Sequence, residues 1–208
     1  MIRRGAKVRK RELRKAMRDR NRRSTEAERA QSSELICRLL RSTVGMECWR
    51  SILFYAPLPE EPDIWPLLNE AIDAGIKVLL PRMNTANENY EAAELTSLAD
   101  DLSIGSFGVR EPAAHCRVGA LDAIEAVLVP GVAFDGSGHR LGRGAGYYDR
   151  ILSEVRGEII GIAFDWQIIE EVPVETHDAL VDRVVAPTRY FVREKTRKNG
   201  GLTPPLLN

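Results

Sequence analysis

From Arg140 to Arg150 the chain reads Arg-Leu-Gly-Arg-Gly-Ala-Gly-Tyr-Tyr-Asp-Arg, which sets cations, glycines, phenols and a carboxylate close enough to act on one ligand. Glycine lets backbone N–H groups turn toward a bound group with no Cβ in the way, and the positive end of a helix favours an anion. Gly142, Gly144 and Gly146 stand just before apolar periodicity resumes at Tyr147, Ile151, Leu152 and Val155, so they should lead into a helix. Arg140 and Arg143 add mobile positive charge beside that cradle, and Asp149, one turn into the helix, carries the hard oxygens that a magnesium-type ion takes. The chemistry implied is a phosphate held together with a divalent cation. The glycines alone do not establish it. Gly142-x-Gly144-x-Gly146 lacks the dinucleotide spacing, no Gly-x-x-x-x-Gly-Lys-Ser/Thr run occurs, and a simple tight turn stays open as an alternative. The two cations, two phenols and carboxylate between Arg143 and Arg150 favour the ligand.

The elements that must position this stretch follow from periodicity. The apolar run Ala123 to Val129, ended by Pro130-Gly131, predicts a buried strand feeding the glycine-rich loop. Arg50 to Ala56, closed by Pro57-Leu-Pro59, predicts another, and Glu60, Glu61 and Asp63 in the loop after it lead into a helix over Ile64 to Ala74. Ile76 to Leu80 predicts a strand stopped by Pro81, Tyr90 to Leu95 a short one, Glu158 to Phe164 a buried one, and Val181 onward a last one through Tyr190. Strand, helix, strand succession implies a right-handed crossover and a parallel pair. The expected fold is therefore α/β, a single domain over residues 1–194 with a mostly parallel sheet sandwiched between helices in three layers. Open sheets of this kind bind ligands at the carboxyl ends of their strands.

Lys7 to Arg20 predicts a basic helix with a thin stripe of Val8, Leu13 and Met17, and Thr25 with Glu28 three residues on predicts a capping box opening a second helix. On its residues alone the first helix has three open readings: a solvated charged face, contact with nucleic-acid phosphates, or contact with the phosphates of a small nucleotide. An Arg-rich presequence is disfavoured by Glu12 and Asp19. Lys10 and Arg14, four apart, share one helix face and can grip one ligand together.

Composition narrows the classes. The 208 residues are 44% apolar with zero net charge, yet twelve of the thirty Lys and Arg fall in the first 23 positions. A neutral chain with no clustered aromatic platform argues against nucleic acid. No apolar run reaches a membrane span, so a cytoplasmic protein without a membrane partner is expected. Cys37, Cys48 and Cys116 are widely spaced with no Cys-x-x-Cys pair, and are expected to be ordinary thiols rather than a disulfide framework or a zinc site. From Lys195 onward a polar, Gly/Pro-rich tail is expected to be disordered.

The run Arg140 to Asp149 closely resembles the signature of the 5-formyltetrahydrofolate cyclo-ligase family, also called methenyltetrahydrofolate synthetase, and the likeness extends from about Lys7 to Tyr190. Lys10-Arg-Glu-Leu-Arg14 is similar to the family's Lys-x-x-x-Arg pair on the ATP phosphates. Glu61-Pro-Asp63 resembles its Glu-x-Asp/Glu-Thr segment, with Ile64 where Thr is usual, and Phe107 to Pro112 its Gly-Ile-x-Glu-Pro segment near the folate. His177-Asp178 resembles its His/Asn-Asp pair, Tyr90-Glu-Ala92 stands where relatives often have Met-x-Phe, and Ala145 where many have Gly. The resemblance implies ATP-driven cyclisation of 5-formyltetrahydrofolate to 5,10-methenyltetrahydrofolate with release of ADP and phosphate. It implies that Lys10, Arg14, Arg140, Gly142, Arg143, Gly144, Ala145, Gly146, Tyr147 and Tyr148 bind ATP, and that Asp149 and Asp178 hold Mg²⁺. It places Ala56, Glu61, Arg143 and Tyr147 on the folate, with Arg143 and Tyr147 catalytic, in a monomer acting on small molecules. Two rivals remain at this stage: an RNA-associated protein with an architectural glycine loop, and another ATP-dependent ligase or kinase using the same cradle.

Overall fold

The computed structural model describes residues 2–86, 89–105, 108–176 and 178–194. Phe107, a candidate for stacking on a flat ring, His177, a candidate acid or base, and the tail from Lys195 lie outside these residues. The chain opens with α1 (Ile2–Asn21) and α2 (Glu26–Leu39), then β1 (Ser51–Leu53), α3 (Trp65–Asp73), β2 (Lys77–Asn84) and β3 (Asn89–Leu95). Two short strands follow, β4 (Leu102–Ile104) and β5 (Arg110–Pro112), and then β6 (Ala126–Pro130), β7 (Ala133–Phe134), β8 (Arg140–Leu141) and α4 (Tyr147–Glu154). The chain closes with β9 (Glu158–Ile162), β10 (Arg183–Val185) and β11 (Tyr190–Val192).

The main sheet runs β11-β10-β9-β6-β1-β2-β3. Its five inner strands are parallel, and β3 and β11 close the two edges antiparallel. Side chains alternate across it as a two-residue period requires. Ile52, Leu128 and Ile160 face Ile36 of α2 and Leu67 and Leu68 of α3, whereas Leu53, Val127 and Val129 face Ile151 and Leu152 of α4. Helices thus cover both faces, the three layers expected from sequence. The capping box also forms: Glu28 N donates to Thr25 Oγ1 at 3.2 Å while Thr25 N donates to Glu28 Oε2 at 2.7 Å.

Four local expectations need correction. The loop between β6 and α4 contains a hairpin, with Ala133 opposite Leu141 and Phe134 opposite Arg140. Asp135 fixes its turn by accepting from Ser137 N and His139 N, and ties it to the distant chain through Val172 N at 2.9 Å. Pro81 does not stop β2, which continues to Asn84 opposite β3. The lost N–H costs little, because Phe54 N makes the last bond from the β1 side, to Leu79 O, and Ala92 O, opposite Pro81, accepts from Gly119 N instead. The last strand is two, β10 and β11, folded back at Ala186 to Arg189 where Pro187 removes a donor. On α1 the inward stripe is Ala6, Lys10 and Met17, all buried, with Leu13 partly buried and Val8 exposed.

α1 packs on this hairpin. Leu13 and Met17 pack on Ala133 and Leu141, so the helix lies over the glycine-rich loop. Phe134 anchors the hairpin in turn: fully buried, it sits where a Cβ on Gly161 of β9 would come 2.5 Å from its Cε1. Gly161→Ala is therefore expected to lower stability by about 1–3 kcal/mol through overpacking, read from the denaturant midpoint. An unchanged midpoint would show that Phe134 has room to move.

Candidate active site

A cleft of about 850 Å³ opens over the carboxyl ends of β1 and β6, bounded by α1, the 142–146 loop and the start of α4. Every described residue that the resemblance assigns to ATP, folate or metal lines it. Local chemistry explains how the loop reaches this shape. Gly144 (φ +109°) and Gly146 (φ +72°) take left-handed conformations that side chains resist, and Gly146 caps α4 so that Tyr147 opens the helix. Arg14 staples α1 to the loop: its Nε donates to Gly142 O at 2.8 Å, and a Cβ at Gly144 would lie 3.3 Å from its Cζ.

The four cations differ in setting. Arg140 is not mobile. It sits in β8 at 6% exposure, gives Nη2 to Asp149 Oδ1 at 2.8 Å, lies over the Tyr148 ring at 5.6 Å, and has no partner for Nε. Arg143 is half-exposed and grips Glu61 Oε1 through Nε (3.1 Å) and Nη2 (2.9 Å), with Nη2 also 2.9 Å from Glu60 Oε1. Lys10 is buried against two carboxylates, with Nζ 2.8 and 2.6 Å from the two oxygens of Asp178 and 3.0 Å from Glu175 Oε2. The structure therefore sets Asp178 on Lys10 and Asp149 on Arg140.

The opposite wall carries Ala56 and Glu61. Glu61 is buried, and its Oε2 accepts from Leu58 N at 3.1 Å. Burial pushes its carboxyl above the usual range, against the pull of the Arg143 guanidinium and the Leu58 amide. The Tyr147 ring lies 4.6 Å from that of Tyr90 and under the Arg150 guanidinium at 5.3 Å. Tyr148 turns inward, where burial and then the Glu61 charge raise its phenol far above the ordinary value, so it stays neutral.

Residues missed from sequence complete the lining. Lys7 and Arg11 join Lys10 and Arg14 along the cleft side of α1, and that three-and-four spacing was there to be read. Glu111, buried on β5 with Oε2 accepting from Met83 N at 3.2 Å, lay inside the Phe107 to Pro112 segment. Glu175 gave no local signal, because only folding brings it to Lys10.

The family model of the 5-formyltetrahydrofolate cyclo-ligase family matches residues 6–187. A 5-formyltetrahydrofolate cyclo-ligase of Mycolicibacterium smegmatis is 33% identical over 148 residues, covering 69% of this chain and 76% of that protein. Another from Mus musculus is 27% identical over 188 residues, covering 85% and 92%. The NMR structure of Aquifex aeolicus 5,10-methenyltetrahydrofolate synthetase aligns with a TM-score of 0.82 at 30% identity, covering 92% of this chain and 96% of that one. A Mycoplasma pneumoniae 5,10-methenyltetrahydrofolate synthetase shares the fold at a TM-score of 0.68 and 20% identity. Matched across most of its length, and with the family's signature residues gathered around one cleft, the chain belongs to the 5-formyltetrahydrofolate cyclo-ligase family.

Proposed function

We propose that the protein cyclises 5-formyltetrahydrofolate to 5,10-methenyltetrahydrofolate, converting ATP to ADP and phosphate, through a phosphorylated formyl intermediate. The observation that carries this reading is the convergence of Lys10, Arg14, Arg140 and Arg143 with the Gly142 to Gly146 loop in the cleft that also holds buried Glu61. A formyl oxygen is a poor leaving group. Transfer of the γ-phosphoryl group to it makes it a good one; N10 then attacks the activated carbon, the C–O bond breaks, phosphate departs and N10 loses its proton to solvent. Such transfer is mostly positioning and charge neutralisation.

The chain's own residues divide that work. Loop amides and Arg14 receive the phosphates, while Arg143, already bonded to Glu61, links the phosphate wall to the pterin wall. Glu61 hydrogen-bonds the pterin, Ala56 and the Tyr147 ring border it, and the Tyr147 phenol steadies the formyl oxygen. The donor chemistry also suits Mg²⁺: Asp149, with Oδ1 on Arg140, can offer its second hard oxygen at the cleft. Once bound, the ion would neutralise phosphate charge. Asp178 would join Asp149 as a ligand only by giving up Lys10, and an incoming phosphate is what would draw Lys10 away. All of these residues come from one chain, which supports a monomeric unit acting on small molecules, and we place it in the cytoplasm as part of the same proposal. No described helix is long and apolar enough to cross a membrane.

Two experiments follow. With heavy oxygen in the formyl group, the label should leave in inorganic phosphate; label found in water instead would rule out the phosphorylated intermediate. Lys10→Ala should raise the apparent KM for ATP about tenfold or more, with a smaller change in kcat, because it removes a charged donor to phosphate. Unchanged ATP kinetics would return Lys10 to a purely structural ion pair with Asp178 and Glu175.

A further inference from the structure

We propose that Asp101, His115 and Cys116 form a binding site for a zinc-class divalent ion, apart from the catalytic cleft. Each offers one ligand atom, and the three atoms lie within 4.8 Å of one another. None of the three residues lines the cleft. A carboxylate oxygen, an imidazole nitrogen and a sulfur together suit Zn²⁺, or Co²⁺ in its place, and do not suit Mg²⁺. Ligand atoms around a tetrahedral zinc ion sit roughly 3.5 Å apart, so closure needs shifts of only about an ångström. Asp101 and Cys116 are buried whereas the His115 side chain is 63% exposed, so solvent reaches the group from the His115 side.

The carboxylate is already aimed. Oδ2 of Asp101 accepts from Thr96 N (2.6 Å), Thr96 Oγ1 (2.8 Å) and Ser97 N (3.0 Å), which fixes the group and turns Oδ1 to His115 Nε2 at 3.0 Å. Outer bonds of this kind orient a ligand before the metal arrives. The thiol is held as firmly. Cys116 Sγ lies 3.4 Å from Asp101 O, and its turn is closed by Cys116 N to Ala113 O (3.0 Å) and Ala113 N to Asp101 O (2.7 Å). Binding would release the thiol proton to solvent and replace the hydrogen bond that His115 Nε2 donates to Asp101 Oδ1, the imidazole keeping its proton only on the ring nitrogen that does not hold the ion. Asp101 immediately precedes β4 and Cys116 follows β5, so the ion would staple the two ends of the hairpin whose Arg110 and Glu111 line the cleft.

The test is a Co²⁺ titration of the metal-free full chain. One Co²⁺ per chain is expected, with a thiolate-to-cobalt charge-transfer band in the near ultraviolet that Zn²⁺ removes by displacement. Cys116→Ser should abolish the band, and His115→Ala, at an exposed position that spares the fold, should weaken binding at least about tenfold. Cys48→Ser, at the exposed thiol, should change neither. Absence of a thiolate band, a band that follows Cys48 instead of Cys116, or wild-type affinity in His115→Ala would each overturn the site.

Discussion

Asp149→Asn is expected to lower kcat by about 10²-fold or more while the cleft keeps its shape. Asparagine has the same outline and retains an oxygen for the Arg140 Nη2 bond now made at 2.8 Å. What disappears is the charge. A neutral amide is a poor ligand for a hard cation on a transferring phosphate, and losing such a group typically costs two or more orders of magnitude. The same loss leaves the buried Arg140 guanidinium, whose Nε already lacks a partner, without its counter-charge, so stability should also fall, by about 1–3 kcal/mol. The two effects separate experimentally. Thermal unfolding reads the second, whereas the Mg²⁺ concentration needed for half-maximal rate should rise only if Asp149 is a ligand. Near-normal turnover would remove it from that role.

Arg143→Ala should be the other severe variant, lowering kcat/KM by about 10²- to 10³-fold. It takes one cation from the phosphates and cuts the link between the two walls at Glu61. Glu61 would then keep only the Leu58 amide in a buried position, at a cost of about 1–3 kcal/mol, less than for a fully buried pair because Arg143 is half-exposed. The pH dependence has a definite sign. Burial already holds the Glu61 carboxyl above its usual range, and removing Arg143 removes a lowering influence, so its folded-state pKa rises further. A raised carboxyl contributes its stability below the unfolded pKa and loses it as pH climbs through the folded value. The deficit of Arg143→Ala should therefore be small in acid and widen toward neutral pH, as read by thermal unfolding across that range. Arg143→Lys should recover part of the stability but little of the rate, since a single ammonium cannot reproduce the contacts that Nε and Nη2 make together. A deficit that shrinks toward neutral pH would mean that Glu61 is not held by Arg143.

What the sequence shows about this fold is what is written locally. Strand β6, helix α4 and the Thr25 capping box come straight from periodicity and cap chemistry, and Gly144 and Gly146 sit where a loop needs left-handed backbone. The β7–β8 hairpin escaped because two-residue strands have no period to detect. On sequence alone Lys10 fits a solvated face or a ligand grip, yet it belongs to the buried stripe of α1, because carboxylates 165 and 168 residues away come to meet it. Pro81 looked like a strand end, and only knowledge that β1 finishes earlier shows why it is tolerated. Cysteine spacing is equally silent on the grouping of Cys116 and His115 with Asp101, because that grouping crosses a hairpin. Candidate site residues were legible as types and spacings, whereas their pairings, Asp149 with Arg140 and Asp178 with Lys10, are tertiary facts.

The most direct measurement is the simplest. Purified protein, ATP, Mg²⁺ and 5-formyltetrahydrofolate are mixed, and the absorbance of the methenyl product is followed alongside ADP release. The cleft described above should yield methenyl product and ADP in equal amounts, with neither appearing when ATP or the folate is withheld. ATP consumption without methenyl product, or no turnover of either substrate by folded protein, would contradict the proposed activity.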